Sequence, residues 1–386
     1  MSVKKEQYDY IICGGGAAGL LLLHALREDS FFTDKKILLI EKENKNSNDR
    51  TWCFWETEES QFDALLRKKW NQAVFSSAQA KKEFELHPFQ YKMLQSSAFY
   101  KRYAPIKTVS DNIYFLQATI LSLKNRGAVT EVITDQGPFS ASQVFSSLFD
   151  PKILKNQSKY PVLQQHFVGW FIQAPKGSFD PEKIVFMDFN IPQKNKTRFI
   201  YILPLSDQKA LVEYTLFSKE LLELKEYEAG IKAYLEQLNI TNYTIEEKER
   251  GTIPMSCYPF QDSNSSSLLQ IGTAGGWTKA STGFTFKKTQ REINRLISFL
   301  KTEQPLTAFH RKSRFWFYDL LFLDVLEKYN EKGSELFSRM FDKNPPVRIF
   351  RFLDEKTTFL EELMVLSSFS IKQIGWFLSA FFKRLF

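Results

Sequence analysis

The run Tyr8-Asp9-Tyr10-Ile11-Ile12-Cys13 leads directly into Gly14-Gly15-Gly16-Ala17-Ala18-Gly19 and then a leucine-rich tract, and this order constrains the fold more than any other feature. A β-forming run, G-x-G-x-x-G and a helix-forming tract together build a cradle for a dinucleotide. Gly14 permits the tight turn, Gly16 lets the main chain approach a pyrophosphate, and Gly19 lets the helix lie close against the strand. The helix start at Ala17 and Ala18 offers free N–H groups and the positive end of a helix dipole to phosphate oxygens. A second β run, Lys36-Ile37-Leu38-Leu39-Ile40, ends at Glu41. That acid lies about twenty residues past the glycines, where a carboxylate accepts hydrogen bonds from an adenosine ribose. The motif specifies a dinucleotide; its position early in the chain favours FAD, with a later segment returning to close over the flavin.

At 386 residues the chain holds two or three structural units, and 43% hydrophobic with 25% charged residues is the balance of a folded globular protein. Phenylalanine is in surplus at 37 residues, which suits either a long apolar ligand or membrane face, or simply a Phe-rich core. A net charge of +8 favours an anionic partner. The basic residues are scattered and no nucleic-acid motif accompanies them, so an anionic membrane surface is the expected partner and nucleic acid is not. Cys13, Cys53 and Cys257 are too few and too far apart for a disulfide framework or a zinc site; a reducing compartment and no metal are expected. Lys4 and Lys5 precede only a short apolar run that passes into the glycine motif, which reads as a strand and not a signal peptide. No window reaches the roughly 18 apolar residues of a spanning helix. The expected location is cytoplasmic, at most peripheral to the cytoplasmic membrane.

Beyond Glu41, the block Arg50-Thr51-Trp52-Cys53-Phe54-Trp55-Glu56 offers a basic residue and tryptophans that could line a cofactor and substrate. Alternation at Ile113 to Leu123 and Val129 to Ile133 reads as a meander, ending at Gln143 to Asp150, which returns to the nucleotide sheet. Phe167–Gln173, Ile184–Phe189, Thr197–Leu203 and Lys209–Phe217 read as an antiparallel sheet, followed by a helix from Glu220 to Leu238 and a strand near Tyr243 to Arg250. A second glycine-rich stretch, Gly272-Thr273-Ala274-Gly275-Gly276-Trp277 with Ser281-Thr282-Gly283, opens a helix running to Leu300 and suits the flavin's pyrimidine edge or ribityl phosphate. From residue 301 onward the pattern is helical. In the last helix Ile374, Phe377, Leu378, Phe381 and Leu385 share a face that suits core packing or a membrane.

The expected class is α/β: a Rossmann-like FAD-binding domain (1–60, 106–150 and 251–300), an antiparallel-sheet substrate domain (61–105 and 151–250) and a C-terminal helical segment (301–386). Four histidines stand in no nucleophile setting, which argues against a hydrolytic triad. One carboxylate stands out. In Leu211-Val212-Glu213-Tyr214-Thr215-Leu216, period-two alternation puts Glu213 on a face with Leu211 and Thr215. It reads either as a solvated sheet face or as a desolvated, protonated acid able to protonate an alkene.

The N-terminal IICGGGAAGLLLLHAL, the block NDRTWCFWE, the pair YILPLS and LVEYT, the loop IGTAGGWTKASTGF and the later KNPPVRIFRFLDEKTTFLEELMVLSSF resemble the lycopene β-cyclases of the bacterial flavoprotein type, in order and over nearly the whole chain. The resemblance implies a fold related to FAD-dependent hydroxylases and conversion of the acyclic ψ ends of lycopene to β-ionone rings without net redox change. It implies reduced FAD as cofactor and NAD(P)H as electron source. It assigns the essential acid to Glu213 and cofactor contacts to Gly14, Gly16, Ala17, Ala18, Gly19, Glu41, Arg50, Gly272, Gly275, Gly276, Thr282 and Gly283. Trp52, Trp55 and Trp277 are further candidates for the tunnel lining. Tyr214 stands where relatives carry a second acid, and Lys279-Ala280 where many carry His-Pro. Rival readings are a redox flavoprotein, either an aromatic hydroxylase or an isoprenoid double-bond reductase, and a flavin-bearing, membrane-docked assembly subunit.

Overall fold

The computed structural model describes residues 7–104 and 112–385. Lys4, Lys5, residue 386 and the expected domain boundary at 105–106 lie outside them. The apolar strand Gln7–Cys13 sits between Ile37–Glu41 and Gly137–Ser146, parallel to both, and Ile113–Gln117 adds a further parallel strand beside Ile37–Glu41. Ile113–Gln117 is therefore not part of the meander; that consists of Ile120–Asn125, Thr130–Thr134 and Gly137–Ser146. The short apolar run Leu268–Gln270 closes this seven-stranded sheet by pairing with the end of Gly137–Ser146. Helices Ala17–Glu28 and Phe286–Leu300 pack side by side, burying Leu22, Leu26, Ile293 and Leu296 with Ile12 and Leu39 in one apolar core.

A second seven-stranded sheet follows the order Thr244–Met255, Leu163–Gln173, Lys209–Ser218, Thr197–Pro204, Lys183–Asp188, Gln72–Ser76, Lys81–Glu85. It is wider than the four strands expected, and it is not wholly antiparallel: Lys183–Asp188 runs parallel to Gln72–Ser76. Thr244–Met255 is one strand of 12 residues, so the stretch from Gly251 to Met255 continues the sheet. Period-two alternation sorts its faces. Val168, Trp170, Ile202, Val212 and Tyr214 pack under helix Leu224–Gln237, while Leu163, Phe171, Leu203 and Leu211 face a separate core shared with the C-terminal helices. A three-stranded sheet of Thr51–Glu56, Gln90–Gln95 and Lys68–Trp70 lies against this second face, with Trp55, Trp70 and Tyr91 in the core shared with the C-terminal helices.

Five helices end the chain: Arg314–Lys328, Gly333–Lys343, Pro346–Leu353, Phe359–Leu366 and Ile371–Leu385. Much of the phenylalanine surplus is spent here, with Phe341 stacked on Phe75 at 4.3 Å and Phe350 packed on Trp55 at 4.9 Å. In the last helix Ile374, Phe377 and Phe381 are half-buried, but Leu378 and Leu385 turn to solvent with Ile371 and Phe382. The expected single apolar face is thus divided, because the side packed on Arg314–Lys328 takes only part of it.

Candidate active site

The first strand ends in a turn at Gly14, whose φ of +101° is open to glycine and strained for other residues. A Cβ on Gly19 would collide with the Gly14 carbonyl, which is how closely the helix lies on the turn; one on Gly16 would meet nothing within 4 Å. The open approach at Gly16 and the closed one at Gly19 are what a pyrophosphate cradle requires. Glu41 ends the neighbouring strand buried against this turn, its Oε2 accepting from Gly15 N at 2.6 Å and its Oε1 from Glu43 N at 2.9 Å. It stands beside the helix start at the end of the parallel strands, where an adenosine ribose would lie. Arg50 is exposed, and its guanidinium donates to Asp49 O at 2.6 Å.

The second glycine stretch meets the first. Gly272–Gly275 is a short 3₁₀ turn, and a Cβ on Gly272 would stand 2.9 Å from Ala18 Cβ. The long helix begins only at Phe286, so the stretch is a loop ahead of the helix instead of its first turn. Gly272, Gly276 and Gly283 all have positive φ, and Gly275 is packed against the Gln270 carbonyl. Thr282 Oγ1 and Gln270 Oε1 are buried and have no hydrogen-bond partner among the described residues. Unpartnered polar atoms beside two abutting glycine turns suit a polar heterocycle with a diphosphate chain, so the residues present fit FAD.

Gly283 lies over the second sheet, where a Cβ would stand 3.4 Å from Ile253 Cγ2 and collide with Gln165. Four residues along the same strand and on the same face is Gly169, about 13 Å away. Glu213 pairs across from Gly169 on one side and from Tyr201 on the other, and Glu249 pairs with Gly169 on the far strand. Tyr201, Glu213, Gly169 and Glu249 therefore form one row across four strands, all projecting toward the same face. The Thr215 hydroxyl donates to Glu213 Oε1, and Thr51 Oγ1 donates to Glu249 Oε2 at 2.6 Å. Tyr91 and Tyr201 share a hydroxyl hydrogen bond.

The Glu213 side chain is partly accessible yet ringed by protein. Burial, reinforced by Glu249 and opposed by the Thr215 hydroxyl, pushes its pKa up to about 8. Burial also lifts Glu249, to about 7, with the Thr51 hydroxyl opposing and Glu247 adding to the rise. Cys53, Tyr91 and Tyr201 are raised in turn, burial being the main cause for each. Glu213 is consequently held mostly protonated at neutral pH while Glu249 stands near its midpoint, next to a cleft lined in part by Cys53, Trp55 and Phe284. Glu249 carried no sequence signal of its own: on a strand reading EEKER it looks like one more solvated acid.

A family model described as "Lycopene cyclase protein" matches residues 9–375. This chain belongs to the lycopene cyclase family. It is 24% identical over 306 residues to the chloroplastic lycopene beta cyclase of Arabidopsis thaliana, covering 74% of this chain and 58% of that protein. It is 25% identical over 266 residues to the lycopene beta-cyclase of Pantoea ananas, covering 65% and 63%. The chain thus spans less than two thirds of the length of these relatives. Among solved structures, a geranylgeranyl bacteriochlorophyll reductase-like protein from Thermoplasma acidophilum aligns with TM-score 0.63 at 11% identity over 94% of this chain and 96% of that one. The flavin-dependent brominase Bmp2 aligns with TM-score 0.55 at 14% identity over 98% and 99%. Halogenase PltM, solved in complex with phloroglucinol and FAD, aligns with TM-score 0.53 at 11% identity over 90% and 79%. The α/β fold of FAD-dependent monooxygenases and reductases, with its C-terminal helices, is therefore the fold of this lycopene cyclase family member.

Both departures from the family pattern have a structural place. Tyr214 points to the opposite face from Glu213, where its hydroxyl accepts from Arg198 at 3.1 Å under helix Leu224–Gln237. Lys279 is buried and donates to both oxygens of Asp319 at 2.9 Å, and Glu355 stands 3.4 Å away. The tryptophans divide: Trp55 lines the cleft against Phe284 at 4.6 Å, whereas Trp52 stacks on Phe286 and Trp277 packs on Phe309 in the nucleotide-side core. Trp52, half-buried, and Trp277, buried, thus pack on the nucleotide-side core, apart from the residues that line this cleft.

Proposed function

We propose that this chain is a lycopene β-cyclase, converting ψ end groups of lycopene to β-ionone rings by acid catalysis, by way of γ-carotene to β-carotene. The observation that carries this reading is Glu213, a carboxyl kept neutral by burial yet still accessible to a substrate. Protonation of the terminal double bond by Glu213 gives a tertiary cation, the neighbouring alkene closes on it, and loss of a ring proton leaves the cyclic olefin. A weak acid can protonate a hydrocarbon only where water does not compete for the cation; the apolar face around Leu211 and Phe171 supplies that exclusion. Gly14, Gly16, Ala17, Ala18, Gly19, Glu41 and the Gly272–Gly283 loop would hold FAD, with Arg50 at the rim. Reduced FAD, charged from NAD(P)H, would supply negative charge that stabilises the cationic transition state.

We further propose a peripheral seat on the cytoplasmic membrane, from which an insoluble polyene could enter. No single helix among the described residues is long and apolar enough to cross a membrane; Phe359–Leu366 and Ile371–Leu385, bent by 117°, pass only as a pair. Phe359, Leu360, Ile371 and Phe382 on these helices are each more than half exposed. Exposed Lys356, Lys372 and Lys383 stand near them in the chain, a composition suited to an anionic bilayer surface.

The deciding experiment is expression in lycopene-accumulating bacteria followed by pigment analysis, with Glu213→Gln alongside. The parent should convert red lycopene to orange β-carotene; the variant, with flavin content unchanged, should fall in rate by about 10²- to 10⁴-fold. An unaltered pigment profile from flavin-loaded parent protein would overturn the reading. Stoichiometric NAD(P)H consumption per product would favour a redox flavoprotein instead.

A further inference from the structure

The reaction has a second proton to manage. One proton enters at the inner CH carbon of the terminal double bond, and a different one must leave the ring carbon at which the new double bond forms. Those two carbons are bonded to the same ring carbon, so the group that gives and the group that takes must lie close together. Besides Glu213, the described residues on this face offer one other carboxyl opposite Gly169.

We infer that Glu249 is a second catalytic carboxyl, taking the proton that leaves the closed ring while Glu213 supplies the proton that starts the reaction. The inference rests on the cyclase reading above. Its geometric basis is the row Glu213–Gly169–Glu249, in which the central residue has no side chain. A Cβ on Gly169 would stand 3.1 Å from Glu249 Cγ and 2.8 Å from Leu211 Cδ1, so the gap is filled by the Glu249 stem leaning over the glycine toward Glu213. Each acid has one oxygen on a threonine hydroxyl, Thr215 for Glu213 and Thr51 for Glu249. No lysine or arginine forms an ion pair with either among the described residues. Cys53 from the strand Thr51–Glu56, Tyr91 from Gln90–Gln95, Tyr201 from Thr197–Pro204 and Glu247 on the same strand are the other titratable groups around them. Of these, Glu247 is already occupied, accepting from Asn48 at 3.1 Å.

The proton balance closes. At the outset Glu213 carries a proton and Glu249 is a carboxylate. A C–H bond forms at the inner carbon of the terminal double bond as the Glu213 O–H breaks; the neighbouring alkene bonds to the resulting tertiary carbon and closes the ring; a ring C–H breaks and its proton goes to Glu249. No electron is gained or lost. The pair then stands with its single proton on Glu249, and transfer across the Gly169 gap restores the starting state. Burial favours sharing one proton between the two, because both acids ionised side by side repel and both protonated leave no base.

The test is Glu249→Gln in the lycopene-accumulating strain, with pigments resolved by ring type. Ring closure should persist at a rate about 10²-fold lower, with the proton lost less selectively. Rings with displaced double bonds, or ring alcohols from water capture, should become major products. Glu249→Asp should restore the β ring, and both variants should retain their flavin. Parent-like rate and ring composition in Glu249→Gln would overturn the inference and leave Glu213 doing both steps. Complete loss of ring closure with flavin retained would place Glu249 ahead of cyclisation and overturn it equally. Should Glu249→Gln fail to fold, Thr51→Val carries the test: a shift in ring composition is expected, and an unchanged one refutes the role. A parent that forms no ring refutes the cyclase reading itself, a distinguishable result.

Discussion

The two seven-stranded sheets present their chemistry in opposite ways. The nucleotide sheet works through main chain: bare N–H groups at a helix start, with side chains kept out of the way at Gly14, Gly16 and Gly19. The second sheet works through side chains lined up across strands, with burial raising both acids of the row. The first therefore tolerates little added volume and is indifferent to charge. The second should behave in reverse, losing chemistry when a carboxyl is neutralised while the fold and flavin content persist, since an amide fills nearly the same volume.

The sharpest break between the two is Gly19→Ala. Its Cβ would drive into the Gly14 carbonyl, so the strand-to-helix turn must open; a loss of about 3 kcal/mol in stability is expected. Flavin content should fall to near zero in the purified protein, measured by absorbance. A flavin-loaded Gly19→Ala protein would mean that the cradle lies elsewhere. Glu213→Gln should give the converse: full flavin, with ring formation slowed by about 10²- to 10⁴-fold.

Acidity sharpens the same contrast. With Glu213 as the proposed proton donor, ring formation should need it protonated, and its pKa near 8 should set an alkaline limb on which rate falls about tenfold per pH unit above that value. Stability moves in the same direction. Both raised acids keep protons that the unfolded chain releases near its ordinary 4.5, so the folded state binds more protons between those values. Stability should decline as pH climbs from about 4.5 to about 8 and level off beyond, as chemical denaturation across pH would register. Flavin binding, resting on main-chain donors, should not follow this curve. An alkaline limb starting near pH 5 would contradict a buried acid.

The same division explains what could be read in advance. Gly14, Gly16, Gly19 and Glu41 lie within one βαβ stretch whose spacing is set by local geometry, so their meeting was legible from residue order alone. Glu213 was legible as an acid in an apolar strand, and its face followed from alternation. Glu249 was not, because it meets Glu213 only through the register of Leu163–Gln173 with two partners, a non-local fact. Gly169 gave no warning either; a single glycine in a strand shows its use only once its neighbours are known. The last helix failed for a related reason, since periodicity tells which residues share a face and not how much of that face a neighbour covers.

Gly169→Ala follows in size. The new methyl would press on Leu211 and on the Glu249 stem, at a cost of about 1–2 kcal/mol in thermal unfolding. Ring formation should suffer more than stability implies, because the methyl stands in the gap between the two acids. Flavin content should not change.

The smallest effect on the protein alone is expected at Gly16. It precedes the helix with φ of −79°, which alanine adopts freely, and a methyl there would touch nothing within 4 Å. Gly16→Ala should leave the flavin-free protein within about 0.5 kcal/mol of the parent. The methyl nevertheless projects into the space a pyrophosphate must enter, so flavin affinity should fall more than tenfold by titration of the flavin-free protein. Space that costs nothing to fill in the empty protein, yet cannot be filled without losing the ligand, is reserved for that ligand. A Gly16→Ala protein that binds FAD as the parent does would show that this space serves no phosphate, and the main-chain half of the contrast would fail.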